Sequence, residues 1–285
     1  MEIKKVGVAG CGLMGGGIVQ TCAQSGYQVV TLEANDELLK KGLGALANNL
    51  SRAVDKGKLR QADMDAIFSR IHGTTSVEAL ADCDIVVEAI IEDLELKKRL
   101  FSDLDAICPE HTIFASNTSS IPIIEMASAT KRAERFVGLH FFNPVPVMKL
   151  VEVISTIQSN EETVRRATAF IESLDKKAIQ AKDRAGFIVN LLLVPYLLDA
   201  IRALEMGLAT KEDIDTGMVL GCGYPMGPLT LLDFVGLDTI YSITKILFDE
   251  FKDPKYASPP LLKQMVKAGF YGRKSGRGFY DYRSK

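Results

Sequence analysis

The amino-acid sequence predicts an α/β fold in which a mainly parallel sheet is followed by an all-α C-terminal domain. Short apolar runs alternate with longer helical patterns through the first two-thirds of the chain, which is typical of a parallel sheet with helices between its strands. The four clearest runs are residues 6–9, 29–32, 85–87 and 112–115. A length of 285 residues favours two domains, and we predict them at residues 1–184 and 185–285.

The remaining elements are predicted from changes in the hydrophobic pattern. Residues 36–80 carry leucine and alanine at helical spacing and are expected to form two helices that project from the sheet. Two strands, 136–139 and 150–154, are expected on either side of a proline-containing bend. A polar hinge at 183–186 then precedes a long apolar helix at about 187–206, and only helical patterns follow.

The composition is that of an ordinary globular protein and argues against several classes of function. A net charge of −2 does not suit broad nucleic-acid binding, which needs a strongly basic surface. The five cysteines form no Cys-x-x-Cys pair, so neither a disulfide framework nor a zinc site is expected. The longest apolar run, 191–198, is too short for a membrane span, which takes roughly 20 residues. No signal peptide is expected before the first strand, and we predict a cytoplasmic protein.

A glycine-rich turn follows the first predicted strand. Gly10, Gly12 and Gly15 open a helix, and the second strand ends about 20 residues later in Glu33. Such glycines let the backbone approach a pyrophosphate, and the helix N-terminus favours its negative charge. An ordinary strand-to-helix turn is the alternative, but the glycines at 15–17 each cost about 0.8–1.0 kcal/mol inside a helix. We therefore predict a Rossmann-type dinucleotide-binding sheet with cofactor contacts at Gly10, Gly12, Leu13, Met14, Gly15 and Glu33.

Glu33 also bears on which nicotinamide cofactor is bound. Its carboxylate can accept hydrogen bonds from the adenosine ribose but would repel a 2′-phosphate. Ala34 and Asn35 supply no arginine that would offset this repulsion. The sequence therefore predicts NAD rather than NADP.

His140 is the candidate for proton transfer among the three histidines. It lies at the end of an apolar strand, where α/β folds place their chemistry, whereas His72 and His111 lie in polar loops. Glu152 follows twelve residues later on the returning strand, where its carboxylate can face the imidazole and orient a general base. A structural histidine beside a surface glutamate is the alternative, and spacing alone does not decide between the two.

Two further polar sites are candidates for hydrogen bonds to ligands. Ser120 is predicted to cap a helix that begins near residue 122, which leaves Asn117 and Ser119 for cofactor and substrate. Asn190 interrupts an apolar run at the start of the long helix, and a buried amide needs partners. Its partners are either neighbouring backbone groups or a ligand in a cleft between the predicted domains.

Other chemistries have no support in the sequence. There is no His-Glu-x-x-His motif, no Gly-x-Ser-x-Gly elbow, no P-loop lysine and no carboxylate cluster suited to a metal. A metal-free hydride transfer is the remaining interpretation.

Four longer strings of the sequence resemble the L-3-hydroxyacyl-CoA dehydrogenase family. They are SNTSS at 116–120, GLHFFNPVPVMKLVEVI at 138–154, GFIVN at 186–190 and GYPMGPLTLLDFVGLDT at 223–239. With the glycine turn and the closing residues 274–280, the likeness spans nearly the whole chain. The compact length is similar to that of the monofunctional bacterial-type branch, whose members act on 3-hydroxybutyryl-CoA.

This resemblance implies roles for individual residues. His140 matches the general base and Glu152 its partner. Ser119 and Asn190 match the groups that bind the substrate's 3-oxygen, and Lys56, in a locally basic segment, matches a lysine that meets the CoA portion. Further positions that line the cofactor in the family are Glu92, Lys97, Ser119, Asn143 and Lys274. Two departures are Glu33, where many members carry aspartate, and Asn49, which replaces a serine at the CoA site.

The resemblance also implies an acyl-CoA substrate and a homodimer formed through the C-terminal helical domain. The rich apolar content of that domain agrees with such an interface. No nucleic-acid or membrane partner is expected. Two rivals remain: a dehydrogenase of free hydroxy acids or sugar acids, such as gulonate, and a nucleotide-binding structural protein without turnover.

Overall fold

A computed structural model describes residues 3–283, and the chain divides after Arg184 into two compact units. The described part of the first unit contains one sheet of eight strands. These strands are β1 (Lys5–Ala9), β2 (Gln28–Leu32), β3 (Ile71–Thr74), β4 (Ile85–Glu88), β5 (Ile113–Ser116), β6 (Phe136–Phe141), β7 (Leu150–Ser155) and β8 (Lys177–Lys182).

The strand order of the sheet is β3-β2-β1-β4-β5-β6-β7-β8. The first six strands are all parallel and follow the strand order of the dinucleotide-binding fold. From β1 the chain first adds β2 and β3 on one side of the sheet and then continues with β4 on the other side. β7 is antiparallel to β6 because the bend between them is too short for a crossover, and β8 is parallel to β7. The predicted Rossmann-type sheet is therefore confirmed.

Six α-helices accompany the sheet within residues 3–184. They are α1 (Leu13–Gln24), α2 (Asp36–Asp55), α3 (Gln61–Phe68), α4 (Leu94–Ile107), α5 (Ile123–Ala127) and α6 (Glu161–Ser173). All four residues of β4 are buried, although successive side chains of a strand point to opposite faces. The centre of the sheet is thus covered on both faces, which explains why its strands are continuous apolar runs in the sequence.

The two edge strands, β3 and β8, are not visible in the sequence pattern. Residues 36–80 are predicted to hold two helices, yet they also contain β3, so His72 lies on a strand and not in a loop. Both predicted helices are present as α2 and α3, and Leu46 and Leu50 of α2 are buried in the core. An edge strand buries fewer side chains, and β8 begins and ends with an exposed lysine, so neither strand carries an apolar run.

The N-terminus of α5 is capped from a distant part of the chain. The sequence predicts Ser120 as the cap, but the Ser120 hydroxyl donates to Glu92, 3.1 Å away. The carboxylate of Asp183 instead accepts hydrogen bonds from the amides of Ile123 and Ile124, at 2.8 and 2.7 Å. The predicted cap is therefore wrong, and a carboxylate suits this position because its charge also interacts favourably with the helix dipole.

The second unit is helical, as predicted. Its α-helices among the described residues are α7 (Val189–Glu205), α8 (Lys211–Cys222), α9 (Pro228–Val235), α10 (Leu237–Phe251) and α11 (Pro260–Lys267). The buried carboxylate of Asp233 accepts hydrogen bonds from the amides of Phe279 and Tyr280, at 2.8 and 2.9 Å, and so ties the C-terminal segment to α9. No helix within residues 3–283 has the length and apolarity needed to cross a membrane.

Candidate active site

Each of the three glycines in the turn after β1 is required for a different structural reason. Gly10 has a φ of +99°, which favours glycine, and a Cβ there would lie 2.6 Å from the carbonyl oxygen of Ala89. A Cβ on Gly15 would lie 1.9 Å from the carbonyl oxygen of Gly10, so only glycine lets α1 start this close to the turn. Gly12 faces open space, with no atom within 4 Å of its Cβ position. This arrangement fits a pyrophosphate, which needs a tight turn, an open backbone and close helix packing.

Glu33 lies directly beside this turn. Its Oε1 atom accepts a hydrogen bond from the amide of Cys11 at 2.6 Å, so the carboxylate is held at the end of β2. A cavity of 340 Å³ adjoins both features and continues along one face of α2 through Leu38, Ala45 and Asn49. The geometry therefore offers an acceptor next to the space that the adenosine half of a dinucleotide requires. A more open cavity of 590 Å³ lies beside Arg70, away from the turn.

His140 and Glu152 are direct partners in the antiparallel pairing of β6 and β7. Nδ1 of His140 lies 2.6 Å from Oε2 of Glu152, and the two side chains are 7% and 0% exposed. Because a carboxylate only accepts hydrogen bonds, the Nδ1–H group donates, and Nε2 is the nitrogen that can take a proton. The predicted contact is present, and a buried pair is not the surface glutamate of the alternative interpretation.

Neighbouring groups fix the position of the imidazole. The ring of Phe142 packs against it with a centroid separation of 4.5 Å. The side-chain oxygen of Asn117 accepts a hydrogen bond from the amide of Phe141 at 2.9 Å, which ties the turn after β5 to the end of β6. The turn that carries Ser119 and the strand that carries His140 are thus held together at the carboxyl edge of the sheet.

A buried carboxylate that the sequence analysis did not identify lies beneath this turn. Glu88, the last residue of β4, is fully buried and accepts hydrogen bonds from Lys97 at 2.5 Å and from the Ser116 hydroxyl at 2.6 Å. Burial raises the pKa of the Glu88 carboxyl, so the ionised form depends on these donors. The available signal was an acidic residue directly after an apolar strand, followed nine positions later by a lysine.

The structure also gives the positions of the other predicted cofactor residues in the first unit. Glu92 accepts hydrogen bonds from the Ser119 amide and the Thr118 hydroxyl. Lys97 is 1% exposed and is paired with two carboxylates, so its predicted contact with the cofactor stays a prediction. Leu13 and Asn143 are exposed, whereas Met14 is partly buried.

The predicted ligand residues outside this cluster lie at the end of α2 and in the second unit. Lys56 is the exposed C-terminal cap residue of α2, a position from which its ammonium can reach a solvated phosphate. Asn190 lies in the first turn of α7. Lys274 donates a hydrogen bond to Asp238 at 2.7 Å. The roles of Asn190 and Lys274 at substrate and cofactor stay predictions.

Among residues 3–283, no group of three or more histidine, cysteine, aspartate or glutamate side chains is arranged to hold a metal ion. The groups that can carry out chemistry are the His140 and Glu152 pair and the polar turn after β5.

Comparisons with known proteins agree with this geometry. Two family models match, described as 3-hydroxyacyl-CoA dehydrogenase, NAD binding domain, at residues 5–184, and 3-hydroxyacyl-CoA dehydrogenase, C-terminal domain, at residues 186–282. A probable 3-hydroxybutyryl-CoA dehydrogenase of Bacillus subtilis is 47% identical over 100% of this chain and 99% of its own length. The human mitochondrial hydroxyacyl-coenzyme A dehydrogenase is 46% identical over 99% of this chain and 92% of its own length.

A solved structure extends the likeness to three dimensions. The (S)-3-hydroxybutyryl-CoA dehydrogenase of Ralstonia eutropha superposes with a TM-score of 0.94, at 46% identity, over 99% of each chain. The dinucleotide-binding sheet, the glycine turn with its acidic partner and the full-length likeness lead to one assignment. This chain belongs to the 3-hydroxyacyl-CoA dehydrogenase family and is an NAD-dependent enzyme.

Proposed function

We propose that this enzyme interconverts short-chain (S)-3-hydroxyacyl-CoA and 3-ketoacyl-CoA, with 3-hydroxybutyryl-CoA and acetoacetyl-CoA as the preferred pair. The observation that carries the proposal is the buried pair of His140 and Glu152. The pair lies on β6 and β7 of the same sheet whose strand β1 leads into the glycine turn. A histidine oriented by a carboxylate suits removal of a proton from a hydroxyl group. The names of the relatives at 46 to 47% identity support the short-chain substrate.

The proposed mechanism assigns the proton to Nε2 of His140. In the oxidative direction Nε2 takes the proton of the 3-hydroxyl, while Nδ1–H continues to donate to Glu152. The imidazolium that forms is stabilised by the Glu152 carboxylate, which lies 2.6 Å away in a buried environment where such an interaction is strong. NAD, when bound, supplies the acceptor for the hydride from C3. In the reductive direction the same imidazolium returns the proton to the 3-oxygen.

Ser119 and Asn190 are proposed to hold the 3-oxygen. For Ser119 the support is structural, because Glu92 binds its amide and the neighbouring hydroxyl groups and so fixes the turn. For Asn190 the support is the family resemblance. Holding the reacting oxygen in one place lowers the barrier by several kcal/mol, because the cost of orienting the substrate is met on binding.

An assay of NADH oxidation tests this function directly. We expect acetoacetyl-CoA to be reduced with NADH, with the highest kcat/KM at C4 in a series from C4 to C16 3-ketoacyl-CoA substrates. With NADPH we expect kcat/KM to fall about 100-fold, because like charges placed together at Glu33 cost several kcal/mol. Reduction of acetoacetate with NADH, or oxidation of gulonate with NAD, in place of turnover of the CoA ester would contradict the proposal in favour of a free-acid dehydrogenase. No NADH oxidation with any substrate would instead favour a structural protein.

We also propose that the protein is a cytoplasmic homodimer that associates through its second unit. That unit exposes large apolar side chains that include Leu192, Leu208, Leu220 and Phe234, which are 50 to 80% exposed. Exposed apolar side chains in such number are typical of an association surface. The five cysteines are thiols, as expected in the reducing cytoplasm. Light scattering should give twice the chain mass of 31.2 kDa, and a mass of one chain at micromolar protein would contradict the dimer.

A further inference from the structure

Three charged side chains form a cluster under the turn after β5. Nζ of Lys97 on α4 lies 2.5 Å from Oε1 of Glu88 and 3.2 Å from Oε2 of Glu92. The side chains of Lys97 and Glu88 are 1% and 0% exposed, whereas that of Glu92 is 37% exposed. A buried lysine and a buried carboxylate each carry a large desolvation cost, which a close pair offsets. The cluster therefore connects a buried anchor, Glu88, with a carboxylate near the surface, Glu92.

Glu88 lies at the point where three strands of the sheet end. In the strand register it pairs with Ala9 of β1 on one side and with Ser116 of β5 on the other. The Ser116 hydroxyl donates to its Oε2 atom at 2.6 Å, and the amide of Asn117 donates to its carbonyl oxygen at 2.8 Å. Glu88 is thus bound to the start of the Ser119 turn and adjoins the strand that leads into Gly10.

Glu92 holds the other side of the same turn. It accepts hydrogen bonds from the Thr118 hydroxyl, from the Ser119 amide at 3.3 Å and from the Ser120 hydroxyl at 3.1 Å. All three donors bind one oxygen, Oε1, and Lys97 binds the other, Oε2. The orientation of Glu92 towards the turn therefore depends on the cation behind it.

We propose that Lys97 and Glu88 are positioning residues for Ser119. Glu88 holds Lys97, Lys97 holds the Glu92 carboxylate against the turn, and Glu92 in turn fixes the backbone at Ser119. The proposal rests on the proposed function only for the role of Ser119. The burial of Lys97 and its two carboxylate partners support this indirect action, and the direct cofactor contact implied by the family resemblance stays a separate prediction.

The test compares Lys97→Met, the double variant Glu88→Gln with Lys97→Met, and a control, Arg132→Met. Arg132 lies 2.6 Å from Asp105, which is on α4 like Lys97, and its side chain is 11% exposed. Its guanidinium also donates hydrogen bonds to the carbonyl oxygens of Asp105, Cys108 and Pro109, all of which precede β5. For each variant, Tm, kcat for acetoacetyl-CoA and the hydrogen exchange of the amides at 117–121 are measured, the last on protein without ligands.

We expect Lys97→Met to lower Tm, to speed exchange at 117–121 and to lower kcat about 10- to 100-fold, as small misplacements do. The double variant leaves no unpaired buried charge, so its Tm should recover. Its exchange should stay fast and its kcat low, because Glu92 still lacks a cation. Arg132→Met should lower Tm without changing exchange at 117–121, and its kcat should stay within about two-fold of the wild-type value.

Recovery of Tm, exchange and kcat together in the double variant would overturn the proposal, because the cluster would then serve stability alone. Wild-type exchange at 117–121 in the double variant would overturn it as well, even if Lys97→Met does not fold. If exchange at 117–121 is fast in both Lys97 variants but the wild-type protein does not reduce acetoacetyl-CoA, the positioning role of Lys97 and Glu88 is supported and the proposed function is contradicted.

Discussion

Replacing His140 by glutamine is expected to lower kcat for acetoacetyl-CoA reduction by about 10²- to 10⁴-fold, the usual contribution of a positioned acid or base. Glutamine can still donate a hydrogen bond to the buried Glu152 carboxylate, so the pair of strands should stay intact. It cannot carry a proton to or from the 3-oxygen. Because the glycine turn is untouched, the affinity for NADH, measured by its fluorescence, should stay within about two-fold.

His72→Gln is the matched control for that substitution. His72 is exposed on the edge strand β3, whereas His140 lies on β6. The same chemical change at position 72 should leave kcat and NADH affinity unchanged. A His140→Gln enzyme that reduces acetoacetyl-CoA at a nearly normal rate would exclude the histidine as the proton carrier.

Replacing Gly15 by alanine is expected to remove measurable NADH binding. The added Cβ would lie 1.9 Å from the carbonyl oxygen of Gly10, a distance that non-bonded atoms do not adopt. The backbone of residue 15 fixes the position of the Cβ, and the oxygen belongs to the backbone of Gly10, so α1 or the turn must move and the binding site for the pyrophosphate is lost. We expect the Kd for NADH, measured by fluorescence, to rise at least about 100-fold, because misplaced backbone donors forfeit several charge-assisted hydrogen bonds.

Gly16→Ala provides a control one residue away. Its Cβ would lie 3.5 Å from the carbonyl oxygen of Cys11, which is ordinary contact. Alanine inside a helix is favoured over glycine by about 0.8–1.0 kcal/mol, so this variant should be slightly more stable in urea. Its loss of NADH affinity should be much smaller than that of Gly15→Ala, because the added methyl group borders the cavity beside α2 without a clash with backbone. Tight NADH binding by Gly15→Ala, or an equal loss of NADH affinity in both variants, would contradict the close packing of Gly15 against Gly10 as the reason for glycine at position 15.

The features that the sequence predicted well depend on local pattern. The turn from Gly10 to Gly15 is encoded by an apolar strand, a glycine spacing and an acid at position 33, all within one strand-helix-strand unit. The contact between His140 and Glu152 needed one further condition, an antiparallel register that pairs these two positions. The short bend between β6 and β7 sets that register.

The features that were missed depend on contacts between distant segments. Asp183 caps a helix 60 residues earlier in the chain, and no local pattern connects it with Ile123. Glu88 is buried because α4 brings Lys97 back beneath the end of β4, so its partner is supplied by tertiary structure. A charged residue at the end of a buried strand is nevertheless a usable signal, because burial without a partner would be too costly.

A crystal structure of the enzyme with NAD and acetoacetyl-CoA is the most direct test of whether His140 acts on the 3-oxygen of the substrate. Both ligands are oxidised, so no turnover disturbs the complex. We expect Nε2 of His140 within about 2.6–3.2 Å of the 3-oxygen, with Nδ1 still bound to Glu152. A 3-oxygen more than about 5 Å from Nε2, with no bridging water and another side chain as its proton donor, would contradict the assignment of His140.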